Sequence, residues 1–280
     1  MSPWVALLLE LAAGALVGWA GHALGTLTAG AALVLALVSA FCSVSGGWAW
    51  GAVLLLAVLS NCLWQRYRNS RLPGARAGRV GWVGLSASLV WPVVLAGMHR
   101  LLGAGGYAAA FVGALAALTA DGWATHLGML SRQPPRLLLL RRRVAPGTPG
   151  AVTLMGHIAA LNGAWLVGLA AMYLLVAQSA LQPPGGWDRA LRWLPLCATL
   201  GGLAGCLVDS FLGATAQALY HCEQCDAYSE TPVHDCGRPA VPVRGWPWLT
   251  HDGVNLVSTV VGAAVSATLY WGLAKSGVPW

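Results

Sequence analysis

Apolar stretches long enough to cross a bilayer recur along the chain, at about 4–24, 27–43, 47–64, 80–100, 105–120, 152–178, 193–219 and 253–273. A helix needs roughly 17 to 25 such residues to traverse the hydrocarbon layer, where only helices and closed barrels satisfy their own backbone polar groups. With 57% hydrophobic and 9% charged residues, the chain has too little polar surface to cover a water-soluble domain. The expected fold is therefore all-α, a polytopic membrane protein of about 6–8 transmembrane helices. It reads as a single helical membrane domain over residues 1–280. The short, small-residue runs 27–43 and 105–120 are also readable as re-entrant or tilted segments. The first run has no basic residue before it and is too long for a cleaved leader, so it is expected to be a retained span.

Charge orients these spans. Arg66, Arg68, Arg71, Arg76 and Arg79 fall in one loop, and Arg132, Arg136, Arg141, Arg142 and Arg143 in another. The positive-inside rule places both in the cytoplasm, and the 220–248 loop, with Arg238 and Arg244, lies two crossings further on the same side. Both termini are then outside, in a multi-pass protein that would occupy the plasma membrane of a prokaryote. Topology and anionic lipid account for the net charge of +7, so the partner is the bilayer and no nucleic acid is needed. The sole lysine is Lys275 and no glycine-rich loop ends in Lys-Ser/Thr, which excludes a P-loop.

Of the nine acidic residues, Glu223, Asp226, Glu230 and Asp235 belong to one cysteine-containing loop, and Asp188 reads as outer surface. Glu10 is expected to pair with a neighbouring helix or to reach water. Asp121, Asp209 and Asp252 differ, because each falls at the cytoplasmic end of a span, where an ionisable group is costly and marks a candidate site. Carboxylates gathered on one face and ringed by arginines suit Mg²⁺ and a phosphorylated ligand, with Asp121 and Asp209 as the metal ligands. Around Asp209, Gly202, Cys206, Gly213 and Ala216 form a small-residue stripe for close helix packing, and Gly14, Gly18, Gly21 and Gly25 do the same in the first span. Gly147, Thr148, Gly150 and Thr153 join a basic loop to the sixth span, either as a phosphate-holding helix entry or as an ordinary Pro/Gly turn.

The stretch HCEQCDAYSETPVHDCG, residues 221–237, carries the other signal. Cys222 and Cys225 have the spacing of half a zinc site, which His234 and Cys236 can close as a Cys₃His tetrahedron, with Gly237 permitting the turn that follows. Zinc ranks ahead of free or disulfide-paired thiols, since a cytoplasmic loop is reducing, and His221 is a possible substitute ligand. Four protein ligands leave no open position, so this zinc would be a structural staple of the 220–248 loop between the last two spans.

Several of these stretches, GGLAGCLVDSFLGATAQ, PRLLLLRRRVAPGTPGAVT, DGWATHLG, the cysteine loop and WLTHDGVNLVSTVVGA, occur together in the chain. In them the chain resembles the integral membrane family of transmembrane protein 19 and plant phytyl-phosphate kinase, domain of unknown function 92. The resemblance implies phosphoryl transfer from CTP or another nucleoside triphosphate to an isoprenyl (phytyl or prenyl) monophosphate. It matches Asp121, Asp209, Asp252 and Asn255 to acidic and amide positions of the family, Thr148 to a Gly-Thr turn, and Arg79 and Arg136 to adjoining basic positions. Where the family has a carboxylate, this chain has His126, a group able to bind a softer metal or act as a base. Asp121 and His126, five residues apart, converge only if the helix ends between them. Further departures fall at Pro149, Ala151, His251 and the Val83 to Ser88 region, so an altered or inactive paralogue is an open reading. A lipid or small-molecule transporter and a non-catalytic scaffold are the competing functions.

Overall fold

A computed structural model describes residues 3–72, 77–103, 106–137, 142–181, 189–234 and 236–275. Arg76, Arg141, Asp188 and Asp235 lie outside the described residues. Every expected apolar run is helical: α1 (Pro3–Ala23), α2 (Ala29–Gly46), α3 (Trp48–Arg71), α4 (Trp82–Leu102), α5 (Gly106–Gly128), α6 (Leu154–Ala180), α7 (Leu194–Thr215) and α8 (His251–Lys275). Among the described residues, α2 to α8 supply seven stretches long and apolar enough to cross a membrane, while the apolar part of α1, Leu7–Ala23, is shorter. The chain is an integral, multi-pass, all-α membrane protein.

Two segments differ from the expectation. Neither 27–43 nor 105–120 is re-entrant, since α2 and α5 are unbroken helices. Thr28 starts α2 as an N-cap, its hydroxyl accepting the Ala31 amide. Moreover, α5 does not stop near residue 120 but runs through Asp121 and His126 to Gly128. The reason is composition: the small residues that made this run a weak hydropathy signal are buried against neighbouring helices from Ala109 to Ala120, so protein, and not lipid, surrounds the segment.

The centre of the bundle is a junction of α5, α7 and α8. A Cβ at Gly205 of α7 would lie 2.6 Å from the Ala117 Cβ and 2.7 Å from the Ser258 carbonyl oxygen; one at Gly262 of α8 would lie 2.6 Å from the Ala117 Cβ and 2.8 Å from the Gly113 carbonyl oxygen. Only glycine permits that approach. In lipid no hydrophobic force drives helices together, so close backbone packing of this kind is what holds them. Gly14, Gly18 and Gly21 play the simpler role expected of them, seating α1 against α2 and Leu27, but Gly25 does not: it lies past the end of α1 at φ +74°, where a Cβ would meet nothing within 4 Å. Glu10 faces Gly51 and Ser43 on the neighbouring helices, which matches the pairing expectation.

One end of the bundle carries the loops. Thr28 and Val80 bond through their backbones, and Asn69 and Gln65 hold the Ala77 and Gly78 carbonyls. The next loop pairs β1 (Arg136–Leu137) with β2 (Ala151–Val152) antiparallel. Between α7 and α8, β3 (Leu219–Cys222), β4 (Ala227–Ser229) and β5 (Val241–Arg244) form an antiparallel sheet in the order β4-β3-β5.

Gly205→Val should destabilise the protein by roughly 1–3 kcal/mol through overpacking at the junction. Gly272→Ala, where a Cβ meets nothing within 4 Å, should leave stability unchanged or slightly raised. Thermal unfolding of the two variants in the same detergent checks the difference.

Candidate functional site

The three consecutive residues of the DGW run of α5 face three different neighbours, because successive residues of a helix are about 100° apart. Asp121 faces a cavity of about 680 Å³. Gly122 makes room for Asn61 of α3. Trp123 covers Gly163 of α6 and donates from Nε1 to Ser60 Oγ of α3 at 3.1 Å.

Across the cavity from α5 is Asp209 of α7, brought there by the glycine junction one and two turns earlier. The Asp121 and Asp209 carboxylates are close enough to influence one another, His251 of α8 acts on Asp121, and Ser258 approaches Asp209. Oδ2 of Asp209 is buried and has no hydrogen-bond partner. A buried, unsatisfied carboxylate oxygen beside a second carboxylate is a costly arrangement that a divalent cation relieves, and hard oxygen donors are what Mg²⁺ takes. The donor set therefore fits such an ion.

The remaining wall is divided by character. Arg132, His157 and the 146–153 turn supply its polar side. Ile158 and Leu161 of α6 and Leu203 and Leu207 of α7 supply an apolar side, and three of these four are also exposed on the outer surface of the bundle, Ile158 at 54%, Leu161 at 47% and Leu207 at 45%. The cavity is thus bordered by the lipid-facing surface between α6 and α7.

The other expected site residues are distributed as follows. Gly147, Thr148, Gly150 and Thr153 line the cavity. Their donors are largely used within the turn: the Thr148 amide and hydroxyl both bond the Ala145 carbonyl, the Ala151 amide bonds the Thr148 carbonyl, and the Thr153 hydroxyl caps α6 by accepting the Gly156 amide. Gly150, at φ +74°, packs directly on the Ala214 backbone of α7. Asp252 does not join Asp121 and Asp209. Its carboxylate faces Gly84 of α4, and the preceding residue, His251, lines the cavity instead. Asn255 stands behind His251, with its Nδ2 donating to Nε2 at 3.3 Å. His126 does not converge with Asp121, because α5 continues through both; its Nδ1 is buried and unpartnered, and it does not line the cavity. Arg79 and Arg136 are exposed and lie off the cavity.

The cysteine loop forms a second centre. The ligand atoms of Cys222, Cys225, His234 and Cys236 all lie within 4.8 Å of one another, with Cys222 and Cys236 Sγ atoms 3.7 Å apart and His234 Nδ1 3.2 Å from Cys236 Sγ. Three thiols and one imidazole gathered in this way are the donor types of a Cys₃His zinc site. The hydrogen bond with His234 pulls the Cys236 thiol down to about 6, whereas the hydrogen bond with Cys236 pushes Cys225 up to about 11. Cys222 ends β3, Cys225 sits in the β3–β4 turn, and Gly237, at φ +79°, closes the turn after Cys236 with its amide bonded to the His234 carbonyl. This loop is tied to the cavity. Arg244 of β5 donates to the carbonyls of Ala214 (2.7 Å), Gly213 (2.8 Å) and Pro149 (3.3 Å), and buried Gln217 donates to Glu230 Oε1 at 3.0 Å. Gln217 and Glu230 also line the cavity. The sequence offered no signal for Arg244 or Glu230 beyond their charge and none for Gln217, and it marked His251 only as a departure from the family pattern.

The family described as Integral membrane protein DUF92 matches residues 12–263. An uncharacterized membrane protein of Methanocaldococcus jannaschii is 30% identical over 160 residues, 57% of this chain and 50% of its own length. Protein PGR of Arabidopsis thaliana is 36% identical over 155 residues, 54% of this chain and 50% of its own. The matched region spans about half the length of these curated relatives. No solved structure matches the chain. With the family match covering nearly all of its helical bundle, the chain belongs to the DUF92 integral membrane protein family.

Proposed function

We propose that the protein transfers a phosphoryl group from a nucleoside triphosphate, CTP or another, to an isoprenyl monophosphate, with a divalent cation held by Asp121 and Asp209. The observation that carries this reading is the cavity itself, which joins a buried carboxylate pair to an apolar wall on the lipid-facing side of α6 and α7. An amphipathic phosphate ester matches both halves, with its tail along Ile158, Leu161 and Leu207 and its head beside Asp121 and Asp209. Bound Mg²⁺ supplies neutralisation of the donor phosphates.

The acceptor phosphate is already anionic at neutral pH, so an oxygen of it forms the new bond to the γ-phosphorus while the bridging bond to the β-phosphate breaks. The products are the isoprenyl diphosphate and the nucleoside diphosphate. No strong base is required, which suits a site whose nearest imidazoles are engaged: His157 Nδ1 bonds the Thr153 carbonyl and His251 Nε2 takes Asn255. Arg132, the free edge of His157 and the amino-terminal dipole of α6 face the phosphates. Thr148 and Thr153 shape the turn, and Asn255 orients His251. Asp252, His126, Arg79 and Arg136 act from outside the cavity or serve topology. The site lies on the cytoplasmic side, because the two basic loops and the cysteine loop share that end of the bundle.

The cysteine loop is proposed to bind structural Zn²⁺ through Cys222, Cys225, His234 and Cys236, forming a staple over residues 220–248. Through Arg244 it fixes the α7 end against the Pro149–Gly150 turn.

Purified protein supplied with an isoprenyl monophosphate, a panel of nucleoside triphosphates and Mg²⁺ should yield the diphosphate, and Asp209→Asn should lower turnover by at least about 10²-fold. Unchanged turnover in that variant would remove Asp209 from the site. Cys222→Ser should lose bound zinc by elemental analysis and cost about 2 kcal/mol or more of stability; retained zinc with wild-type stability would remove the staple.

A further inference from the structure

The segment that leads from β5 into α8 reads VPVRGWPWLT, residues 241–250, with no acidic residue and one cation, Arg244. Its apolar side chains are turned outward: Val241 and Val243 are exposed, as are Trp246 at 55% and Trp248 at 72%. The exposed acids Glu223 and Asp226 of the same loop stand elsewhere, in the β3–β4 turn. In water an exposed apolar run is a liability, the more so because β5 is an edge strand of its sheet.

Backbone bonds fix this segment at the level where the chain leaves α7 and enters α8. The Trp246 amide donates to the carbonyl of Ala216, the residue that caps α7, at 2.9 Å. The Ala218 amide donates to the Leu249 carbonyl at 3.0 Å, and α8 begins two residues later at His251. Trp246 shares a groove with Phe211 and Thr215 of α7, and Phe211 belongs, with Leu207 one turn before it, to the exposed apolar surface of the bundle. The Trp246 and Trp248 rings stack, with centroids 5.3 Å apart and planes at 15°. The pair thus continues the lipid-facing surface of α7 past the end of the helix. At the same end of the bundle, exposed Tyr67 lies near the close of α3 and exposed Trp82 opens α4. An indole joins a large apolar ring to an N–H donor, which is why tryptophan collects where hydrocarbon meets headgroups.

We propose that the 241–248 segment of the cysteine loop lies in the interfacial layer of the bilayer, with Trp246 and Trp248 seated among lipids beside α7. The sheet is then anchored to the membrane as well as to the helix ends, whatever chemistry the cavity performs. The anchor bears on the cavity through Arg244, which stands between Val243 and Trp246 and holds the carbonyls of Gly213, Ala214 and Pro149.

The test is fluorine magnetic resonance of the full-length protein, labelled with fluorotryptophan, in nanodiscs of phosphatidylcholine and phosphatidylglycerol. Trp246→Phe and Trp248→Phe assign the two resonances by their disappearance, with Trp→Tyr at the same position where a Phe variant does not fold. A lipid carrying a nitroxide on its upper acyl chain should broaden both resonances at least about twofold more than a water-soluble gadolinium chelate does. A smaller ratio would overturn the proposal and leave the segment in water. Protection from both agents would also overturn it, since the face would then be covered by protein, such as a second copy of the chain.

Discussion

The backbone contact among α5, α7 and α8 is the constraint on which the candidate site depends. Gly113, Gly205 and Gly262 remove the side chains that would separate these helices, and the carbonyls of one helix then lie against the Cα atoms of the next. Such contact substitutes in lipid for the hydrophobic effect that packs soluble helices. Its consequence appears at one end of the bundle, where Asp121 and Asp209 meet inside protein instead of facing hydrocarbon. An isolated carboxylate in lipid is strongly disfavoured, whereas two that share a polar cavity would be relieved by a bound cation.

The cysteine loop extends the same construction beyond the membrane. Arg244 directs its guanidinium to carbonyls at the end of α7 and on the turn entering α6, satisfying backbone acceptors that a helix end leaves free. Gly150 lets that turn rest on α7 directly. The ends of α6 and α7, the turn and the sheet therefore form one connected rim around the cavity. A metal held by these Cys and His side chains would stiffen the sheet that carries Arg244.

Much of this was legible in the sequence, for physical reasons that differ by feature. Apolar runs of bilayer length identified the helices, because lipid permits little else. The Cys-x-x-Cys and His-x-Cys spacings located the four clustered ligands, and the scarcity of acids in the spans singled out Asp121 and Asp209. Direction around a helix was not legible. Near the start of α8 a single residue is about 100° of rotation, enough to turn His251 into the cavity and Asp252 toward α4. The end of α5 was misplaced for a related reason: hydropathy falls off where protein replaces lipid, although the helix continues, and His126 is carried away from Asp121 with it. Arg244 and Glu230 resemble the other charges of their loops, and only tertiary contacts distinguish them.

The proposed site has Asp121 and Asp209 holding one divalent cation between α5 and α7. Replacing that cation with Fe²⁺ and generating hydroxyl radicals at it cuts the backbone only where the metal sits. Cleavage is expected near residue 121 and near residue 209 in the same preparation, suppressed by excess Mg²⁺ and absent in Asp209→Asn. Cleavage confined to the cysteine loop, or cleavage of α5 and α7 that persists in Asp209→Asn, would contradict it.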